Sequence, residues 1–186
     1  MITEHSLDRI WKGCLQQESK QQEMLYKVLA PKMLAACNRY ATDRDEAQDI
    51  MQEGFIKVFG GMHKYRGEGS LEGWIRRIMV HTAISRYRKL KPLVLTNELP
   101  ECVTINMSYN ESGLETKELL YMIAQLPTNY RNVFNLYAIE GYSHQEIGET
   151  LGITELVSRT TLCRARGVLK DKLSRLNIRE QHCLAS

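Results

Sequence analysis

The run GYSHQEIGETLGITELVSRTTLCRAR, residues 141–166, leaves the chain few ways to fold. Ser143 and Glu146 have capping-box spacing, in which each side chain accepts from the other residue's backbone N–H. Gly152 is a breaker after the short helix this starts, and Thr154 is placed to cap the next. The spacing predicts helices over 143–151 and 154–176 with a tight turn at Leu151-Gly152-Ile153. Ile147, Leu151, Ile153, Leu162 and Leu169 supply a small core for their crossing. On the second helix Leu162, Ala165, Leu169 and Leu173 should face inward. Thr160, Cys163, Arg164 and Gly167 then share the outward face, with Leu156 at its N-terminal end and Arg159 beside it. This is a helix-turn-helix pattern, in which residues near the N-terminus of the second helix reach base edges and flanking arginines take phosphates. The bland alternative is a helical hairpin with a solvated basic face.

The rest of the chain also reads as helix. Residues 20–40 have helical periodicity through Met24, Leu25, Val28, Leu34 and Cys37, with Pro31 expected to kink or split the helix. Thr42-Asp43 offers a cap, and Asp43 with Glu46 has capping-box spacing. The helix that follows puts Ala47, Met51, Phe55, Val58, Phe59 and Met62 on one face, and Gly60-Gly61 should end it. Ser70 is a plausible cap for a helix from Leu71 to the stop at Pro92, with Ile75, Met79, Ala83 and Leu90 buried and Arg77, His81 and Arg88 opposite. Helices near 113–126 and 127–140 complete the set, Pro127 suiting a first turn. The expectation is an all-α fold: two small helical domains joined by a flexible linker, the C-terminal one a helix-turn-helix. Its parts are an N-terminal arm or short helix at 1–19, a domain at 20–92, the linker at 93–112, a domain at 113–177 and a frayed tail at 178–186.

Charge distribution narrows the function. A net charge of +3 over 186 residues predicts little by itself. Yet there is no acidic residue between Glu72 and Glu98, and the basic helix there follows Tyr65, Arg66, a glycine-bearing loop and Trp74. Aromatics beside cations make a stacking platform for single-stranded nucleic acid, whereas an isolated basic run is usually a solvated face. On the preceding helix Asp45, Asp49 and Glu53 recur every four residues, forming a solvated row or a protein-binding edge. No histidine lies in that helix to complete a metal set. Gly67, Gly69 and Gly73 match neither a dinucleotide nor a Walker loop. No catalytic, metal or cofactor constellation emerges, which argues against an enzyme. Five cysteines without C-x-x-C pairing suggest a reduced cytosol. The lack of a signal-peptide pattern or long apolar run predicts a cytoplasmic protein without membrane insertion.

The order DEAQDIMQEGFIKVF, KYRGEGSLEGWIRRIM, LPTNYRNVFNLYAIEGYSHQEIGETLGI and LCRARGVLK resembles the extracytoplasmic-function sigma factors of bacterial RNA polymerase, over roughly residues 20–175. The resemblance implies that the helix with Asp45, Asp49, Gln52 and Glu53 docks on a coiled coil of the polymerase β′ subunit. It also implies that the loop from Lys64 to Gly73 captures a base flipped from the −10 element, and that the helix after it tracks the adjacent strand. The positions so implicated are Lys64, Tyr65, Arg66, Ser70, Trp74, Arg76, Arg77, His81, Arg86, Arg88 and Lys89. The C-terminal domain would meet the β flap and read the duplex −35 element, with Arg159, Thr160, Cys163 and Arg164 at the matching positions and Ser143, Leu156 and Arg166 beside them. An anti-sigma factor is an expected further partner. Three features depart from the family pattern: His81 where Asn is frequent, Ser85 where Asp is frequent, and Leu156-Val157 where a small residue and Thr are usual.

Overall fold

The computed structural model describes residues 4–90 and 114–184. The expected linker at 93–112 lies outside the described residues. The chain divides into two units, one ending at Pro92 and the other beginning at Leu93. Among the described residues there is no strand.

The first unit holds four helices: α1 (Glu4–Leu15), α2 (Ser19–Asn38), α3 (Arg44–Gly60) and α4 (Leu71–Leu90). Of the two alternatives for the N-terminal residues, a short helix forms over Glu4–Leu15. Leu7, Ile10, Trp11 and Cys14 recur at helical spacing, and burying this stripe against α2 makes α1 part of the core. The turn after α1 uses a left-handed Gln17 (φ 61°), which lets the Glu18 N–H donate to Gly13 O at 3.1 Å. Helix α2 is not split by Pro31 but runs through it. Pro31 lies on the exposed side, while Leu25, Leu29, Met33, Ala36 and Cys37 form an unbroken buried stripe that outweighs the lost hydrogen bond. That stripe is offset from the expected one, since Met24 is exposed.

Helix α3 starts at Asp43, whose Oδ1 accepts from the Glu46 N–H at 2.8 Å. The Glu46 carboxylate reaches back one residue further than a standard box, accepting from the Thr42 N–H at 2.6 Å. Ala47, Met51, Phe55 and Val58 are buried as the periodicity requires. Gly54 lets α4 approach closely, because a Cβ there would collide with Met79 Sδ. From α4, Ile75, Met79 and Ala83 face this core.

The second unit contains α5 (Leu114–Ala124), α6 (Thr128–Phe134), a π-helical turn (Asn135–Ile139), α7 (His144–Leu151) and α8 (Glu155–Leu184). Its core gathers Met122, Ile123, Leu126, Ala165 and Leu169, with Tyr130, Phe134 and Val168 at the edge. Pro127 stands just before α6 rather than in its first turn. Buried Arg131 donates from Nη1 to Ala124 O at 3.0 Å, tying α6 to the end of α5. Two expectations for α8 are corrected. Leu173 is 40% exposed, because the core cluster ends at Leu169. The helix also continues to Leu184 instead of fraying after Asn177, and residues 178–184 contain neither Gly nor Pro to stop it.

Candidate nucleic-acid interface

Two surfaces of the first unit and one of the second carry the candidate residues. On the first unit the loop between α3 and α4 is closed by Tyr65, whose hydroxyl donates to Gly69 O at 2.7 Å. Gly67 and Gly69 have φ of 77° and 86°, a region that favours glycine, so the loop's path depends on them. Ser70 begins α4, its Oγ accepting from the Gly73 N–H at 3.3 Å. Tyr65 and Trp74 have ring centroids 5.4 Å apart, and both pack on Trp11 of α1, at 5.7 and 5.8 Å. Trp11 is only 6% exposed, so it backs the loop from inside. Sequence reasoning missed it, although its place on the apolar stripe of residues 7–14 could have revealed a buried aromatic.

Beside this cluster lies an open groove of ≈ 450 Å³, walled by Lys57, Lys64, Trp74, Arg77, His81 and Thr82. It brings together four of the expected strand-holding residues and adds Lys57, which was not foreseen. Lys57 is fixed by Glu53 Oε1 at 2.7 Å and by Thr82 Oγ1 at 3.1 Å. Its signal was the Glu53–Lys57 pair one helical turn apart. Desolvation against the groove wall, and then Arg77, hold His81 below the ordinary histidine range, so at neutral pH it is an uncharged hydrogen-bonding group. Arg66 and Ser70 are exposed on the loop, Arg76 is half-buried, and Arg88 and Lys89 are exposed near the end of α4. Arg86 does not wall this groove. Its guanidinium lies 3.5 Å from Asp49 Oδ2 and 3.8 Å from Glu53 Oε2.

Asp45, Asp49, Gln52 and Glu53 share one face of α3, as their spacing requires. Ile56 continues that face at 72% exposure, a large apolar residue among acids. Hydrogen bonding to Lys57 is the main cause holding the Glu53 carboxyl below its usual range, so the face is anionic at neutral pH. Among the described residues no group of acids, histidines and cysteines is placed to hold a metal ion.

On the second unit the capping box forms in full: the Ser143 N–H donates to Glu146 Oε2 at 2.8 Å, and Ser143 Oγ accepts from the Glu146 N–H at 3.2 Å. The turn closes through left-handed Gly152 (φ 73°), with Gly152 and Ile153 N–H groups both donating to Gly148 O at 2.8 and 3.0 Å. Thr154 Oγ1 accepts from the Val157 N–H at 3.2 Å to start α8. Leu156, Arg159, Thr160, Cys163, Arg164 and Arg166 are all exposed on α8. Leu156, at 69%, projects fully from the first turn. Arg159 is braced by Glu155 (Nε to Oε1, 3.1 Å), and the Thr160 hydroxyl lies 3.0 Å from both Leu156 O and Val157 O, which leaves its methyl as the outward group. Ser143 is engaged in the cap. His144 Nδ1 sits 2.9 Å from Oγ of buried Ser158, and its ring stacks on Tyr137 at 4.6 Å. Buried Cys14 and Cys37 have thiols pushed up to about 11 and about 12, mainly by desolvation, and are unreactive.

A helix-turn-helix with an arginine-rich exposed face, on a chain whose other unit carries a basic groove, defines a helical DNA-binding protein. Family models of Sigma-70 region 2 and Sigma-70 region 4 match residues 25–92 and 116–169. RNA polymerase sigma factor SigZ of Bacillus subtilis is 32% identical over 136 residues, covering 70% of this chain and 74% of that protein. ECF RNA polymerase sigma factor SigE of Mycolicibacterium smegmatis is 30% identical over 145 residues, 74% of this chain; the match spans about half of that longer protein, 55%. RNA polymerase sigma-H factor of Pseudomonas aeruginosa is 24% identical over 95% of this chain and 98% of its own. In fold, the chain is similar to the sigma factor RpoE solved in complex with the anti-sigma factor NepR from Bartonella quintana. That likeness has a TM-score of 0.56 at 18% identity, covering 82% of this chain and 96% of that one. The chain belongs to the sigma-70 family of RNA polymerase sigma factors, in its extracytoplasmic-function branch.

Proposed function

We propose that this chain carries core RNA polymerase to promoters, docking through the acidic face of α3, holding the −10 strand in the groove of α4 and reading the −35 duplex with α8. The observation that carries the proposal is the pairing of an anionic face and a cationic groove on one unit, with a separate helix-turn-helix on the other.

Energetics point to a large partner. Separating about ten base-pair steps costs on the order of 14 kcal/mol at about 1.4 kcal/mol per step. Stacking returns about 1–3 kcal/mol per captured base, so a few bases cannot offset the cost. The sequence carries no nucleotide-hydrolysis motif, and polymerase binding energy fills the gap. Contact with the β′ coiled coil and the β flap, activity in the cytoplasm, and restraint by an anti-sigma partner belong to the same reading.

The test is run-off transcription with purified core enzyme over a promoter library. The expected result is promoter-dependent product only when both proteins are present. Absence of product together with absence of core binding overturns the proposal. Tight, sequence-specific binding of duplex DNA by the chain alone at physiological salt would instead favour a conventional helix-turn-helix regulator.

A further inference from the structure

The helix-turn-helix has a built feature beyond the residues assigned above. Tyr137 lies in the π-helical turn that follows α6, and such turns recur at functional sites. Its ring is exposed on the surface and stacks on His144, with centroids 4.6 Å apart and planes 22° from parallel. Arg166 places its guanidinium carbon 5.5 Å from the centre of the Tyr137 ring. His144 in turn holds α8, through the 2.9 Å contact of Nδ1 with the hydroxyl of Ser158, which is fully buried. Ser143, immediately before, fixes the backbone of His144 by its capping box. The contacts thus run in a closed path: from the start of α7 to α8 at Ser158, and from the same imidazole through Tyr137 back to α8 at Arg166.

We infer that Tyr137 and His144 are positioning residues that hold Arg166 ready for a backbone phosphate of the bound duplex. The inference rests on the reading of α8 as the DNA-facing helix. A guanidinium held over an aromatic ring by cation–π attraction spends no hydrogen bond on it and keeps its N–H donors for other partners. An arginine so packed has already lost much of its rotamer freedom, so binding costs less. Arg166 falls on the same stripe as Arg159 and Cys163, four and seven residues along from the first, and about 10 Å further down the helix axis than Arg159. That is the flank of a recognition helix, where phosphates rather than base edges are met. The imidazole favours its neutral form, through desolvation and then Arg159 and Arg166, although Glu155 acts the other way. A neutral ring beside Arg166 avoids repelling the cation it positions.

The test measures binding of the full chain to a fluorescein-labelled, random-sequence 20-base-pair duplex by anisotropy across a salt series. A phosphate contact carries no sequence information, so a random duplex suffices. Arg166→Ala should weaken binding and reduce the salt slope by about 0.9, the loss of one phosphate contact. Tyr137→Ala should weaken binding by about two- to fivefold, His144→Ala likewise, and Tyr137→Phe should bind as the parent does. In the Arg166→Ala background, Tyr137→Ala should have no further effect. Circular dichroism melting checks that the variants remain folded. An equal loss from Tyr137→Ala in both backgrounds, or a matching loss from Tyr137→Phe, overturns the positioning role. If Arg166→Ala weakens binding while Tyr137→Ala does not, the positioning role also fails but the DNA-facing reading stands. If Arg164→Ala and Arg166→Ala both leave binding unchanged, that underlying reading fails too.

Discussion

Arg164 stands exposed on α8 on one stripe with Thr160 and Gly167, neither of which carries charge. A guanidinium there can meet a guanine edge with two donors at once, a contact worth about 1–3 kcal/mol of discrimination. Arg164→Ala should lower promoter selectivity by that amount without changing the melting temperature, as measured by transcription from promoters that differ only in the −35 element. Unchanged selectivity would remove Arg164 from the reading surface. Residues on a helix face of this kind are legible in sequence because the period alone places them. Trp11 and Tyr137 were not, since each acquires its role from a contact made in three dimensions, and Lys57 was signalled only by its pairing with Glu53. Trp11 meets Tyr65 and Trp74 only after α1 has packed, and nothing near residue 11 announces that meeting. Leu173 shows the converse: its period matches the inward stripe, but the core it should face has already ended.

At the scale of elements, the helices of both units were legible where capping and periodicity agreed, as at α3, α4 and α7. They were misjudged where a local rule met a stronger tertiary one. Pro31 ought to interrupt α2, yet the buried stripe on both sides of it holds the helix together. The packing of α3 on α4 depends on a residue that no periodicity marks. Gly54 is buried with no side chain of its own, and Met79 occupies the space a side chain would need. Gly54→Leu should therefore destabilise the first unit by about 1–3 kcal/mol or more through overpacking, read as a fall in the urea midpoint. Met79→Ala should recover part of that loss in the double variant, because the two residues share one volume. Additive effects would show that the two helices do not meet there as described.

At the scale of the molecule, two units were legible from the break in helical period after Pro92, and the family follows from motifs in both. What joins the two candidate surfaces within the first unit was not. The proposed docking face was read as a row of acids and the strand-holding helix as a run of bases, yet Arg86 bridges the two. The bridge is solvent-accessible and worth about 0–1 kcal/mol to the fold. Asp49→Lys should consequently leave the melting temperature nearly unchanged while weakening competition for core polymerase against a reference sigma factor. Unaltered competition would reduce the row to solvated surface.

The bridge also bears on how variants of this chain would sort in a genetic screen. The family resemblance gives Asp49 and Glu53 to docking and Arg86 to the −10 contacts, but one ionic contact joins them. A lesion at any of the three should score in both phenotypes, and allele-specific suppressors should cross from one helix to the other. Asp45 and Gln52 lie on the same face of α3 outside that contact, so they are the positions where a pure docking allele can be isolated.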